Sequence, residues 1–195
     1  MTKHKLRFAV IIFILAALAL SGAAYAEPNV KIKYNYYEIQ GTTAKELRQE
    51  MNLSGPLDKG EKRYDAETKW HVRWQYWFGK NRYECWINRV TTEVEINFTF
   101  PKWKRSKKIS GDLEQQWLNY MKVLQEHENG HKEFAINAAK EIEGRLKSFR
   151  PLRSCNALEN MANSIANQII DKYIKIEIEY DRRTDHGRTQ GAVFP

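Results

Sequence analysis

Residues 112–147 read DLEQQWLNYMKVLQEHENGHKEFAINAAKEIEGRLK. Apolar side chains recur three and four positions apart, from Leu113, Trp117 and Tyr120 through Leu124 to Ala135, Ala138, Ile142 and Leu146. That spacing predicts one long amphipathic helix with a buried stripe, running to about Ser148. Ser110 is placed to cap it, and Asp112 and Glu114 fall in the first turn, where the helix dipole favours carboxylates. Inside the run stands His127-Glu128-Asn129-Gly130-His131, a match to H-E-x-x-H. Histidines four apart on a helix share a face, so both imidazoles can reach one metal ion. Glu128 points to the same opening and can take a proton from a water that the metal activates. Gly130 costs the helix interior about 1 kcal/mol against alanine. It marks either a close approach by another backbone or by the substrate, or a tolerated surface glycine.

Towards the N-terminus the period changes to two. Val30–Ile39, Lys69–Phe78 and Tyr83–Phe100 alternate apolar and polar residues and read as strands, the last stopping at Pro101. Thr42 or Thr43 can cap a short helix ending near Met51, closed by Gly55-Pro56, and Asp58–Lys62 reads as a charged turn. After the long helix, Asn156-Ala157-Leu158-Glu159 resembles a capping box for a second helix with Leu158, Met161, Ile165, Ile169 and Tyr173 inward. Ile174–Tyr180 alternates again and suggests a closing strand, and the polar residues 181–195 suggest an irregular tail. The expected fold class is α+β: an N-terminal antiparallel sheet of three to four strands, then the long H-E-x-x-H helix and a second helix.

A catalytic zinc commonly has three protein ligands and one open position. Phe134 and Asn137 stand where a metzincin would need Gly and His, which excludes that extension. His186 is the favoured third ligand, as the only histidine after the motif, with Gly187 beside it to allow a tight turn. Asp181, Asp185 and the downstream helical Glu159 are alternatives. Tyr180 and Arg183 are candidates, from their nearness to His186 in sequence, for stabilising a developing oxyanion. His71 reads as a sheet-surface residue. Trp70, Trp74, Tyr76 and Trp77 could form a stacking platform for sugars or peptides, but the alternation reads one face of that strand as core.

The first 26 residues have the form of an export signal: Lys3, Lys5 and Arg7, an apolar run from Phe8 to Leu20, and Ala24-Tyr25-Ala26 as a cleavage site. The expected mature chain, 27–195, is one domain without a membrane span, secreted or periplasmic. The chain has 32 Lys and Arg against 24 Asp and Glu, and three of those cations lie in the leader, so the net charge falls from +8 to +5. This favours anionic partners such as envelope polymers. No nucleic-acid-reading motif is present, and export argues against such a partner. Cys85 and Cys155 suggest one disulfide in an oxidising compartment.

The leader, the Gly55-Pro56 turn, the stretch Asp65-Ala66-Glu67-Thr68-Lys69-Trp70, Cys85, the His127–His131 helix and Cys155 form a wider pattern. It continues through Tyr180–Gly187 to Gly191-Ala192. The chain resembles, over most of its mature length, a bacterial family of unknown function described as predicted secreted zinc-dependent proteases. The resemblance implies a zincin-like metallopeptidase with His127 and His131 as ligands and Glu128 as the base. The resulting expectation is a zinc enzyme acting on a protein or peptide substrate such as a cell-envelope peptide. The alternatives are an amidase of peptidoglycan stem peptides and a non-catalytic zinc-binding envelope protein.

Overall fold

The structure is a computed structural model that describes residues 27–58, 60, 62–105 and 109–195. The leader reading therefore lies outside the described residues, as does part of the charged turn at 58–62. The elements run β1 (Asn29–Ile39), α1 (Ala44–Ser54), β2 (Glu67–Lys80), β3 (Cys85–Trp103), α2 (Gly111–Lys147), α3 (Cys155–Thr184) and a 3-10 turn at Arg188–Gln190. The architecture is α+β, with the sheet first and the long helices after.

The three strands lie in the order β1-β3-β2. β2 pairs antiparallel with β3, but β1 pairs with it in parallel, Ile32 beside Ile96 and Tyr34 beside Phe98. The sheet is thus mixed rather than wholly antiparallel. Alternation records which face a residue takes and not the direction of the strand, so the sequence was silent on this point. β3 also runs past Pro101 to Trp103. The register of β2 ends at Thr99, so β3 has a partner on one side only at the proline, where a missing N–H is tolerated.

Val90, Thr92, Val94, Ile96, Phe98 and Phe100 present one buried face of β3 to α2. The helix answers with Leu113, Trp117, Leu124, Ala135, Ala138, Ile142 and Leu146, all buried. Ser110 caps it, its hydroxyl accepting from the Leu113 N–H. Thr43 caps α1 in a full capping box with Glu46. At α3 the cap is Ser154, whose hydroxyl accepts from the Ala157 N–H, two residues before the box read at Asn156–Glu159. Cys85 and Cys155 are joined as a disulfide across 70 residues of chain, Cα–Cα 5.2 Å. Beside it, Cys85 and Leu152 exchange backbone hydrogen bonds of 2.7 and 2.9 Å.

The largest correction concerns residues 174–184. Ile174–Tyr180 is not a strand, because α3 runs unbroken to Thr184. Ile174, Ile176 and Ile178, which create the alternation, are all exposed. The residues turned inward are Tyr173, Glu177, Tyr180, Asp181 and Thr184, at helical spacing. The helix continues, but its inner stripe changes from apolar to polar. The tail is ordered too. Phe194 is buried against Trp117 and Tyr120, with ring centroids 5.4 and 5.1 Å away, and its carbonyl accepts from Arg48 Nη2 at 3.2 Å.

Candidate metal centre

The stripe that seats α2 on the sheet also carries the motif inward. His127, Glu128 and His131 lie between Leu124 and Ala135 and are only 3%, 4% and 7% exposed. Charged and ionisable groups are rarely so buried without partners, and each has them. α3 packs across α2 and brings Asp181 to the pair. Asp181 Oδ1 lies 3.2 Å from His127 Nε2 and 3.0 Å from His131 Nε2. The three side chains each offer one donor atom, all within 4.8 Å of one another, and the group could hold a metal ion.

The outer edges of both imidazoles are also engaged. His127 Nδ1 is 2.9 Å from Gln190 Oε1. Gln190 offers an acceptor there, so Nδ1 can hold the proton when Nε2 ligates a metal, whereas without one Nε2 faces the Asp181 carboxylate. His131 Nδ1 faces Glu177 Oε2 at 3.8 Å, and the same oxygen accepts from Trp70 Nε1 of β2. Glu177 and Asp181 are four apart on α3, so one helical face supplies a ligand candidate and a supporting carboxylate.

Tyr180 underpins the motif. Its ring stacks on His127, centroids 4.9 Å apart and 12° from parallel, and meets His131 edge-on at 5.3 Å. Its hydroxyl donates to the His127 carbonyl at 3.3 Å. This explains Gly130, since a Cβ there would lie 2.6 Å from the Tyr180 oxygen. The close approach is by a side chain rather than by backbone or substrate.

The motif opens into a cleft of about 680 Å³, walled by Tyr64, Thr68, Leu124, Asp185, His186 and Val193 among others. Thr68, at the start of β2, donates its hydroxyl to Glu128 Oε2 at 2.5 Å. Burial pushes the Glu128 carboxyl up, partly offset by Thr68 and the two imidazoles. Burial opposes charge on His131, but hydrogen bonds to Asp181 and Glu177 win and lift its pKa to about 10. Burial likewise opposes charge on Asp181, but the imidazoles prevail and hold it well below the usual carboxylate range.

Of the residues anticipated from sequence, His127, His131 and Asp181 converge and Glu128 stands beside them. His186 lies outside the converging group: its Nδ1 is 3.7 Å from Asp181 Oδ2 and its half-buried ring lines the cleft. Asp181, rather than the favoured His186, converges on the histidine pair, because the face of α3 reaches the motif before the chain turns. Asp185 pairs with Arg188 at 3.1 Å. Glu159 sits near the start of α3, about 33 Å from Asp181 at the helical rise. Tyr180 and Arg183 are not among the residues lining the cleft; Tyr180 supports His127 from behind instead. Trp74 Nε1 and Tyr76 Oη donate to Asn163 of α3, at 3.2 and 3.1 Å, which uses these rings in packing. His71 is exposed on β2.

Three partners escaped the sequence reading. Thr68 lay within the Asp65–Trp70 stretch that carried the resemblance, without a role. Glu177 was masked by the isoleucine alternation around it. Gln190 carries no sequence signal at all.

Residues 34–187 match a family described as "Bacterial protein of unknown function (DUF922)". The chain belongs to this family. The matched span contains the three converging donors, Glu128, Thr68 and Glu177, whereas Gln190 lies beyond it. No curated protein and no solved structure shows a significant match to the chain.

Proposed function

We propose that the protein is an exported zinc-dependent metallopeptidase acting on protein or cell-envelope peptide substrates. The observation that carries this reading is the convergence of His127 Nε2, His131 Nε2 and Asp181 Oδ1 beside a buried Glu128 that faces an open cleft. Two imidazoles and one carboxylate are a donor set that suits zinc in a catalytic site. The chemistry supplied by the bound ion is Lewis acidity, which lowers the pKa of a water towards about 7.

The chain's own groups have separate tasks. Gln190 fixes the His127 tautomer and Glu177 faces the corresponding edge of His131. Thr68 engages Glu128 Oε2, leaving Oε1 to take a proton from the attacking water and pass it to the leaving amine nitrogen. Burial makes the Glu128 carboxylate a better proton acceptor near neutral pH. Export is supported by the leader-like N-terminus and by the Cys85–Cys155 disulfide, which belongs to an oxidising compartment.

The test uses zinc-loaded 27–195 and its Glu128→Gln variant. Both should carry about one zinc by plasma mass spectrometry. Hydrolysis of a denatured-protein panel, or of purified cell wall in zymograms, should fall at least about a hundredfold in the variant. Equal turnover by the two proteins would remove Glu128 from the mechanism.

A further inference from the structure

His186 stays unexplained by the metal group it sits beside. Its Nδ1 edge faces Asp181 Oδ2 at 3.7 Å, beyond a direct hydrogen bond, so the opposite edge of the ring is turned away from Asp181. The ring rests on Tyr64 with centroids 4.6 Å apart, and Lys62 Nζ lies over the other partner of that contact, 4.9 Å from the Tyr64 centroid. Tyr64 directs its own hydroxyl to Asp58 at 3.4 Å. It therefore supports His186 rather than reaching the centre.

The backbone is bent to produce this placement. Asp185 and His186 have φ of 46° and 50°, and Gly187 follows at 85°. Left-handed backbone is costly for residues with a side chain, and consecutive cases persist where surrounding structure enforces them. Here the enforcement is visible. Thr184 Oγ1 accepts from the Gly187 N–H at 3.3 Å, the Ala192 N–H donates to the Gly187 carbonyl at 3.0 Å, and a Cβ at Gly187 would lie 3.0 Å from the His127 ring. The turn is locked against one histidine of the motif while presenting another to the cleft.

From this geometry, and resting on the metallopeptidase reading, we infer that His186 is a hydrogen-bond donor to the substrate's oxyanion, acting through Nε2, and not a metal ligand. It takes the role that proximity in sequence had suggested for Tyr180 or Arg183. A donor fixed in advance at the edge of a dry group is how developing negative charge is stabilised at least cost. The ligand class is a tetrahedral oxyanion, for which inorganic phosphate is a direct probe.

Two substitutions separate the possibilities. Asparagine tolerates left-handed backbone, so His186→Asn keeps the turn and a polar group near Nδ1 but has nothing at Nε2. His186→Gln reaches further and can place an N–H near Nε2. Zinc content is read by plasma mass spectrometry and phosphate affinity by calorimetry on the zinc-loaded chains. About one zinc per chain is expected in all three. Phosphate affinity should fall about tenfold or more in His186→Asn, the size expected for a hydrogen bond to a charged group, and recover substantially in His186→Gln. Loss of zinc from His186→Asn would make His186 a ligand and overturn the inference. So would equal phosphate affinity in wild type and His186→Asn, or no phosphate binding by the zinc-loaded wild type. A wild type that takes up no zinc would instead bring down the metal reading on which the inference rests.

Discussion

The two long helices meet the rest of the molecule differently at their two ends. At the end where α2 finishes and α3 begins, Ile142, Leu146 and Leu158 are fully buried, and the Cys85–Cys155 disulfide ties α3 to β3. At the other end the same helices face each other through His127, Glu128, His131, Glu177, Tyr180 and Asp181, with Thr68 and Gln190 completing the contacts. One end is held by covalent linkage and buried hydrocarbon around a buried carboxylate, Glu143, which is paired with Lys147 and accepts from Thr92. The other holds several ionisable groups out of water, which costs free energy unless they are paired or coordinate a metal. The lesson is that one pair of helices can be joined by hydrocarbon in one stretch and by paired polar groups in another.

The sharpest way to break the comparison is to reduce the disulfide. In the chain-entropy account, closing a 70-residue loop stabilises by about 4 kcal/mol. A thermal melt with and without reductant should register that loss, while zinc content of the still-folded reduced chain stays at one. A reduced chain that drops zinc before it melts would show the two ends to be coupled.

Next in size is Gly130→Ala. Alanine is the better helix former by about 1 kcal/mol, yet its Cβ would lie 2.6 Å from the Tyr180 oxygen. The ring is also packed on His127, His131 and Phe134 and has nowhere to go. Overpacking should dominate, at about 1–3 kcal/mol of destabilisation. Adding Tyr180→Ala should then convert Gly130→Ala from harmful to neutral or stabilising in denaturant melts. The same cost with and without the Tyr180 ring would mean that the glycine serves some other purpose.

Gln190→Leu should spare the fold and weaken the metal. Loss of a group that orients a ligand histidine commonly costs 10- to about 100-fold in metal affinity. Competition with a chromogenic chelator reads this directly, and an unchanged affinity would leave His127 oriented by Tyr180 stacking alone.

The last effect is one of pH on the metal-free chain. His131 is raised to about 10 in the fold from an ordinary value near 6.5. A raised cationic group contributes stability that is fully present below about pH 6.5 and lost as pH climbs through about 10. The zinc-loaded chain should lack this dependence, because a ligating imidazole is neutral, and zinc affinity should weaken as pH falls. Parallel melts from pH 6 to 10.5 compare the two forms, and a metal-free chain with no decline over that window would contradict the pairing with Asp181 and Glu177.

Legibility in the sequence followed the same division. Where inward positions are apolar, as in β3, α2 and the first half of α3, spacing revealed the element and most of its buried face; Met161, read as inward, is exposed, and Ala162 and Ala166 are buried instead. Where α3 enters the site, its inward positions become Glu177, Tyr180 and Asp181, and the exposed Ile174, Ile176 and Ile178 supply a misleading two-residue period. The helix therefore vanished from the hydrophobic pattern at the place where it matters chemically. Asp181 was only one of several possible third donors.

By itself the sequence determined the two-histidine pair with its adjacent Glu128, the α+β order of elements, the helix cap at Ser110 and, to within one residue, that at Thr43, and the pairing of the two cysteines. These depend on local spacing or on simple count, and local physics suffices for them. The tertiary structure alone decided the parallel pairing of β1, the convergence of Asp181 rather than His186 on the histidine pair, the need for Gly130, and the contacts of Thr68, Glu177 and Gln190. Each of these is a meeting of groups far apart along the chain, set by how α3 crosses α2 and where the tail folds back. Such distances are fixed by packing, and periodicity carries no record of them.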